Sequence, residues 1–244
     1  RYIGCSLLFL VIVGFLNPKD ENVSKDVLYP PYLAGASPWA DSVFQTLSAD
    51  ERIAQLFMVA AYSNKEQDHV DGITQLVEKH KIGGLLFFQG GPIRQARLTN
   101  LYQSKSKVPL MIALDAEWGL KMRLDSTVKF PYQMTLGAVQ DNQLIYEMGK
   151  QIALHSKRLG VQINFAPVVD INNNPKNPVI NYRSFGENRE KVAEKGIAYM
   201  KGMQDQHVLA NAKHFPGHGD TDADSHLELP LIGHGVRRLD SLEL

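Results

Sequence analysis

The densest group of side chains able to do acid–base or metal chemistry lies between Lys213 and His226. This segment contains three histidines and three aspartates, together with two glycines and a proline that interrupt regular secondary structure. It also follows an apolar stretch of the chain directly. The sequence therefore predicts a shaped polar loop at the end of a strand, rather than a solvated linker.

Three kinds of site fit this loop, and two of them bind a metal. Asp220, Asp222 and Asp224 have the alternating spacing of a calcium loop. However, Ser225 occupies the position of the sharp-turn glycine, and Leu231 occupies that of the bidentate glutamate. A transition-metal site is the second possibility, because the three histidines and the aspartates are all suitable ligands.

An acid–base site is the third interpretation and the one we favour. Asp224 and His226 are two residues apart, so in a suitable turn the carboxylate can bind one nitrogen of the imidazole. Such a partner fixes the orientation of the ring and stabilises the imidazolium. The other ring nitrogen is then free to give and take a proton, as general acid–base catalysis requires.

The elements that must position this loop alternate between helical and extended patterns from Ser37 onward. A capping box begins at Ser48, and Pro92 suits the first turn of a further helix. An apolar stripe predicts a long helix that ends at Gly160; its members are Leu144, Met148, Ile152 and Leu159. Two more helices are predicted over 66–80 and 188–206. The predicted strands are 57–61, 85–88, 108–114, 161–169 and 208–212.

The predicted strands are apolar on both faces and alternate with helices, which indicates a parallel sheet in an α/β fold. No glycine-rich dinucleotide fingerprint follows the first strand, which weakens the doubly wound alternative. Polar residues directly follow three of the strands: Asp115 and Glu117, then Asp170, then Lys213 and His214. Because the loops after the strands of a TIM (β/α)8 barrel share one mouth, we predict that barrel.

Composition excludes several other classes of protein. Hydrophobic residues make up 44% of the 244 residues, which is typical of a globular chain. Lys and Arg together number 26, as do Asp and Glu, so no overall basic field attracts nucleic acid or anionic lipid. The single cysteine, Cys5, excludes an internal disulfide and zinc sites built from several cysteines. We expect a neutral globular enzyme or binding protein.

The N-terminal part of the sequence predicts export. Residues 1–16 contain an unbroken apolar run that suits the core of a signal peptide and is too short to span a bilayer. Residues 17–38, rich in Pro, Asp, Asn and Ser, suggest a linker, so that 39–244 would form the folded part. We therefore expect a periplasmic or secreted protein without a membrane segment after signal removal.

Four segments of the chain carry specific motifs. The most specific is the loop Lys-His-Phe-Pro-Gly-His-Gly-Asp-Thr at 213–221, followed by Asp-Ser-His at 224–226 and Leu-Pro at 229–230. Supporting segments are Leu-Asp-Ala-Glu-Trp-Gly at 114–119 with Arg123, Phe-Phe-Gln-Gly-Gly-Pro at 87–92, and Asn-Tyr-Arg-Ser-Phe-Gly at 181–186. Together they resemble family 3 glycoside hydrolases, and more narrowly their β-N-acetylglucosaminidase branch. The resemblance runs from about Trp39 to the end, and that family's fold is a TIM barrel.

The resemblance implies a role for each matching residue. Five of them match residues that bind the hydroxyls of the terminal sugar: Asp115, Arg123, Arg183, Lys213 and His214. Charged groups of this kind make directional bonds to vicinal hydroxyls, which an apolar pocket cannot do.

The resemblance also implies that His226 is the general acid/base and Asp224 its orienting partner. In this branch the nucleophile is an aspartate well downstream of that loop. No residue after His226 fits, so we expect the nucleophile and the last barrel elements beyond Leu244, and a fragment that is inactive alone. Ala116 and Trp118 depart from the Gln and Gly of many relatives, which reshapes the rim of the site.

The expected function is that of a retaining β-N-acetylhexosaminidase. It would remove terminal β-linked N-acetylglucosamine from glycan or peptidoglycan fragments, with no metal or organic cofactor and no nucleic-acid partner. Two alternatives stay open. One is a metal-dependent barrel hydrolase that uses the loop histidines as ligands, and the other is an inactive sugar-binding relative.

Overall fold

The computed structural model describes residues 35–243, which belong to two compact units divided between Ser42 and Val43. Of the first unit, 35–42 are described, and they contain the start of helix α1 (Pro38–Gln45). The signal-peptide prediction for 1–16, Cys5 and most of the predicted linker 17–38 lie outside the described residues. Within 35–243, no helix is long and apolar enough to cross a membrane.

The second unit alternates strands and helices along the chain. Its strands are β1 (Met58–Ala61), β2 (Gly84–Phe87), β3 (Met111–Leu114), β4 (Ile163–Asn164) and β5 (Leu209–Ala210). Its α-helices are α2 (Ala49–Ala54), α3 (Gln67–Gln75), α4 (Pro92–Lys105), α5 (Gln133–Gly137), α6 (Asn142–Lys157), α7 (Arg189–Gln204) and α8 (Val236–Arg238). Single 3₁₀ turns cover Leu120–Met122 and Asn181–Arg183, and π-helical turns cover Leu76–His80 and Leu239–Glu243.

All five strands are parallel and lie in sequence order in one sheet. Leu85 of β2, for example, is paired with Val59 on one side and with Ile112 on the other. Parallel neighbours need a crossover between them, and helices supply it for most strand pairs. The predicted parallel α/β architecture is therefore confirmed, and the carboxyl ends of the strands share one edge of the sheet.

Helix starts follow the capping signals in the sequence. The Glu51 amide donates to Ser48 Oγ, while the Ser48 amide donates to the Glu51 carboxylate at 2.9 Å. Pro92 occupies the first turn of α4, as predicted. Helix α2 ends at Ala54, before the apolar residues that lead into β1.

Helices α6 and α7 pack closely and support the loops after β3 and β4. Two glycines allow the contact, since a Cβ on Gly202 would lie 2.1 Å from the Tyr146 carbonyl oxygen. A Cβ on Gly149 would lie 2.4 Å from the carbonyl oxygen of Tyr199. One member of the predicted apolar stripe was wrong: Leu144 is 61% exposed, and Ile145 is buried in its place. Both fit the helical spacing with Met148 and Ile152, so the period alone could not choose between them.

Candidate active site

The site begins at Asp115, the first residue after β3. Its carboxylate accepts hydrogen bonds from Arg123 Nη2 and from Lys213 Nζ, each at 2.6 Å. The backbone of Arg123 is anchored by the loop after β2, where the Gly90 amide donates to the Arg123 carbonyl at 3.2 Å. The guanidinium of Arg123 also lies 4.8 Å from the centre of the Phe88 ring, a cation–π contact that fixes its direction.

Glu117 lies two residues further along and is fully buried. Arg183 binds it through two parallel hydrogen bonds, from Nε at 2.9 Å and from Nη2 at 2.8 Å. Lys213 Nζ is also 2.8 Å from this carboxylate, so one ammonium bridges Glu117 and Asp115. The hydroxyl of Tyr199, on α7, donates to the Glu117 carbonyl at 3.0 Å. Glu117 thus ties the loops after β3, β4 and β5 together.

These ion pairs set the charge state of both carboxyls. Burial alone would raise the pKa of Asp115, but Lys213 and Arg123 outweigh it and hold that pKa below its usual value. Burial likewise opposes ionisation of Glu117, yet Arg183 and Lys213 lower its pKa. Both groups are therefore ionised at neutral pH, and the cluster holds fixed charges at the carboxyl edge of the sheet.

The lowered pKa values predict a loss of stability in acid. A depressed folded pKa contributes stability that is complete above the ordinary carboxyl range of about 4, and that is lost as pH falls toward the folded pKa. We expect the melting temperature to be nearly constant from about pH 7 to 5 and to fall steeply below about pH 4. The measurement is thermal unfolding across this range. An Asp115→Asn variant should fall less steeply in acid, and parallel curves for the two proteins would contradict the assignment.

Asp170, which follows β4, organises the start of the loop that follows β5. Its buried carboxylate accepts from the His214 amide at 3.2 Å and from the His218 amide at 2.7 Å, and it binds His214 Nδ1 at 2.5 Å. Lys213 itself is fixed by its backbone, which bonds to the Pro167 carbonyl and the Val169 amide. Asp170 thereby orients the imidazole of His214.

His218 connects the rest of the loop to its first residues. Its Nδ1 contacts the Thr221 hydroxyl, and its Nε2 lies 3.1 Å from Ser225 Oγ. Burial lowers the pKa of His218, which keeps the ring neutral near pH 7. Asn177 adds support because its Nδ2 donates to the His218 and Thr221 carbonyls at 2.7 and 2.9 Å.

The predicted pair of Asp224 and His226 forms on the outer part of this loop. Asp224 Oδ1 lies 2.7 Å from His226 Nδ1 and accepts from the His226 amide at 2.9 Å. These hydrogen bonds hold the pKa of Asp224 below its usual value. The His226 side chain is 77% exposed, and within 35–243 the pair has no hydrogen bond to Asp115 or Glu117. The predicted contact between Asp224 and His226 therefore forms, and no hydrogen bond among the described residues joins it to the charged cluster.

The same loop shows no metal-binding arrangement. Among the residues that the structure describes, no three His, Cys, Asp or Glu side chains are placed to hold a metal ion. Asp220 and Asp224, which share the calcium-like spacing, have different partners, since Asp220 pairs with His234 and Asp224 with His226.

Comparison with known proteins assigns this arrangement to a family. The model of the glycosyl hydrolase family 3 N-terminal domain matches residues 48–244. The chain belongs to glycoside hydrolase family 3. This confirms the family predicted from the loop sequence.

Several family 3 proteins resemble this chain over most of its described length. Beta-hexosaminidase A of Pseudoalteromonas piscicida is 38% identical over 185 residues, which are 70% of this chain and 31% of that protein. A beta-N-acetylglucosaminidase/beta-glucosidase of Cellulomonas fimi is 29% identical over 78% of this chain and 33% of its own length. The chain thus spans about a third of the length of these relatives.

A solved structure supports the fold. The family 3 beta-N-acetylglucosaminidase of a Paenibacillus species superposes with a TM-score of 0.73 at 39% identity, covering 81% of this chain and 38% of that one. Together with the parallel sheet in sequence order, this likeness confirms the TIM-barrel type of fold, of which this family 3 chain forms a part.

The structure brings together most of the residues singled out in the sequence. Asp115, Arg123, Arg183 and Lys213 form one cluster that is connected through Glu117. His214 binds Asp170 instead. Three residues that support this arrangement were not predicted as site residues: Glu117, Asp170 and Tyr199. Glu117 and Asp170 carried the same signal as Asp115, a carboxylate directly after a strand, whereas nothing in the sequence of α7 distinguishes Tyr199.

Proposed function

We propose that the complete protein containing this chain is a β-N-acetylhexosaminidase that removes terminal β-linked N-acetylglucosamine from glycan or peptidoglycan fragments. The observation that carries the proposal is the cluster of Asp115, Arg123, Arg183 and Lys213 at the carboxyl edge of the sheet. Relatives named as beta-hexosaminidases support the choice of sugar.

The cluster suits recognition of a sugar by its hydroxyls. Asp115 keeps about a fifth of its side chain exposed, while Glu117 behind it is fully enclosed. Asp115 can therefore accept from a sugar hydroxyl while the Arg123 guanidinium and the Lys213 ammonium donate to neighbouring oxygens. Glu117 serves instead as the buried group that orients Arg183 and Lys213.

The proposed reaction is hydrolysis with retention in two steps. A carboxylate, which we propose lies beyond Leu244, attacks the anomeric carbon as the bond to the leaving oxygen breaks. His226, oriented by Asp224, passes a proton from Nε2 to that oxygen. In the second step His226 takes a proton from water, whose oxygen attacks the anomeric carbon and releases the carboxylate.

We further propose that the protein is exported through the signal-like segment 1–16. That location gives access to peptidoglycan-derived substrates outside the cytoplasmic membrane. The sequence composition, with equal numbers of acidic and basic residues, supports a neutral carbohydrate as the partner.

The test is hydrolysis by the purified complete protein, with chromogenic β-N-acetylglucosaminide and β-glucoside in parallel, each with and without EDTA. We expect selective release from the N-acetyl substrate that EDTA does not inhibit. Inhibition by EDTA would favour a metal-dependent hydrolase that uses the loop histidines. No release by a folded protein that still binds N-acetylglucosamine would favour the inactive sugar-binding alternative.

A further inference from the structure

Three aromatic side chains pack together on the loops that follow β3 and β4. Trp118 directly follows Glu117, Tyr182 directly precedes Arg183, and Tyr132 closes the β3 loop just before α5. The ring centres of Tyr132 and Tyr182 are 4.6 Å apart, and those of Trp118 and Tyr132 are 4.9 Å apart. We refer to Trp118, Tyr132 and Tyr182 as the aromatic wall.

The aromatic wall is accessible rather than part of the core. Tyr182 is 47% exposed, and Trp118 and Tyr132 are partly exposed. The Lys129 ammonium lies 4.1 Å from the centre of the Tyr132 ring and 3.0 Å from its hydroxyl. The surface therefore combines exposed ring area with a cation and phenolic hydroxyls at its edge.

The backbone holds these rings in place. The Trp118 carbonyl accepts a hydrogen bond from the Phe130 amide at 3.1 Å, which fixes the loop around the indole. Tyr182 lies in the 3₁₀ turn Asn181–Arg183, and the bidentate bond from Arg183 to Glu117 anchors that turn. A surface ordered before binding loses little entropy when a ligand is placed on it.

We infer that the aromatic wall binds the second sugar of the substrate, the pyranose on the leaving-group side of the scissile bond. This inference rests on the proposed function. A pyranose ring has apolar C–H faces that pack on aromatic rings and hydroxyl edges that bind polar groups. The wall offers both, and two of its members are the direct chain neighbours of charged residues, since Trp118 follows Glu117 and Tyr182 precedes Arg183. In this proposal the terminal sugar lies on the charged cluster and the sugar attached to it packs on the rings.

The experiment compares ligands that do and do not reach the wall, in wild type and in a Tyr182→Ala variant of the complete protein. N-acetylglucosamine, which occupies the terminal-sugar site alone, is assayed by its inhibition constant. N,N′,N″-triacetylchitotriose is assayed by its KM. Loss of the exposed ring should raise the KM of the trisaccharide about 3- to 10-fold, the range of one aromatic packing contact. The inhibition constant of the monosaccharide should rise far less.

Two variants separate binding by the ring from other effects. Tyr182→Phe keeps the ring and should restore most of the affinity for the trisaccharide. Phe57→Ala removes a similarly exposed ring at the opposite edge of the sheet, before β1, and should change neither constant. Equal weakening of both ligands by Tyr182→Ala would mean that Tyr182 only positions Arg183, and no change in either would also overturn the inference.

The aromatic wall can also be tested if the protein has no hydrolase activity. If wild type hydrolyses neither substrate, the wall is still tested by fluorescence titration with the trisaccharide, comparing wild type with a Trp118→Phe variant. A change in emission that is lost in that variant supports the wall as a sugar-binding surface. Binding without any contribution from Trp118 or Tyr182 overturns it.

Discussion

Replacement of His226 by alanine is expected to lower kcat for an N-acetylglucosamine disaccharide about 10²- to 10⁴-fold in the complete protein. That range is typical when a positioned acid–base group is removed. In the proposed mechanism, Asp224 binds Nδ1 of the exposed His226 ring, and Nε2 delivers a proton to the leaving oxygen. A sugar alkoxide is a poor leaving group, so the reaction depends on that proton.

Leaving-group dependence separates proton donation from a general loss of structure. With a dinitrophenyl glycoside, whose leaving group needs no proton, the first step should be far less sensitive to His226→Ala. The control is His80→Ala, which removes an exposed histidine far along the chain from the loop and should leave kcat unchanged within about twofold. Equal losses with both leaving groups, or wild-type rates for His226→Ala, would remove the assigned role.

Replacement of Glu117 by alanine should lower the free energy of unfolding by about 3–5 kcal/mol, as expected when one partner of a buried ion pair is removed. The change removes the buried carboxylate that neutralises Arg183 and Lys213. Because both of these side chains are mostly buried, water does not replace it. It also removes the group that orders the loops after β3, β4 and β5. Denaturant unfolding of the complete protein, followed by tyrosine and tryptophan fluorescence, measures the effect.

The matched control for this variant is Glu78→Ala. Glu78 pairs with Lys105 at 2.9 Å, but both side chains are 44% exposed. Pairs of this kind are worth about 0–1 kcal/mol, because water screens them and two long side chains must be ordered. Similar losses in the free energy of unfolding for Glu78→Ala and Glu117→Ala would show that burial does not strengthen the Glu117 ion pair.

Local signals in the sequence predicted much of the architecture. The apolar run before Asp115 predicted the end of β3 correctly. The predicted strands 161–169 and 208–212 were too long, since β4 ends at Asn164 and β5 at Ala210, but Asp170 and Lys213 still follow those strands in the loops after them. The capping box at Ser48 and Pro92 at a helix start also proved correct. These features depend on neighbours within a few residues, which a linear sequence shows directly.

Features that depend on distant contacts were not predictable in the same way. That Glu117 is enclosed follows from Arg183, 66 positions away, and from Tyr199 on α7. The exposed face of α6 depends on its packing against α7, so Leu144 and Ile145 could not be distinguished by spacing. Asp170 binds two backbone amides of a loop more than forty residues later, which no local pattern reveals.

The bridge formed by Lys213 has a consequence for how this site can change during evolution. A single ammonium serves both Asp115 and Glu117, and each carboxylate also belongs to a different arginine. If Lys213 is lost first, Asp115 and Glu117 keep only one arginine each to balance their negative charges. If either carboxylate is lost first, positive charge is left in excess. We therefore expect substitutions within this charged group to be epistatic, because each one changes the charge balance of the others; its members are Asp115, Glu117, Arg123, Arg183 and Lys213.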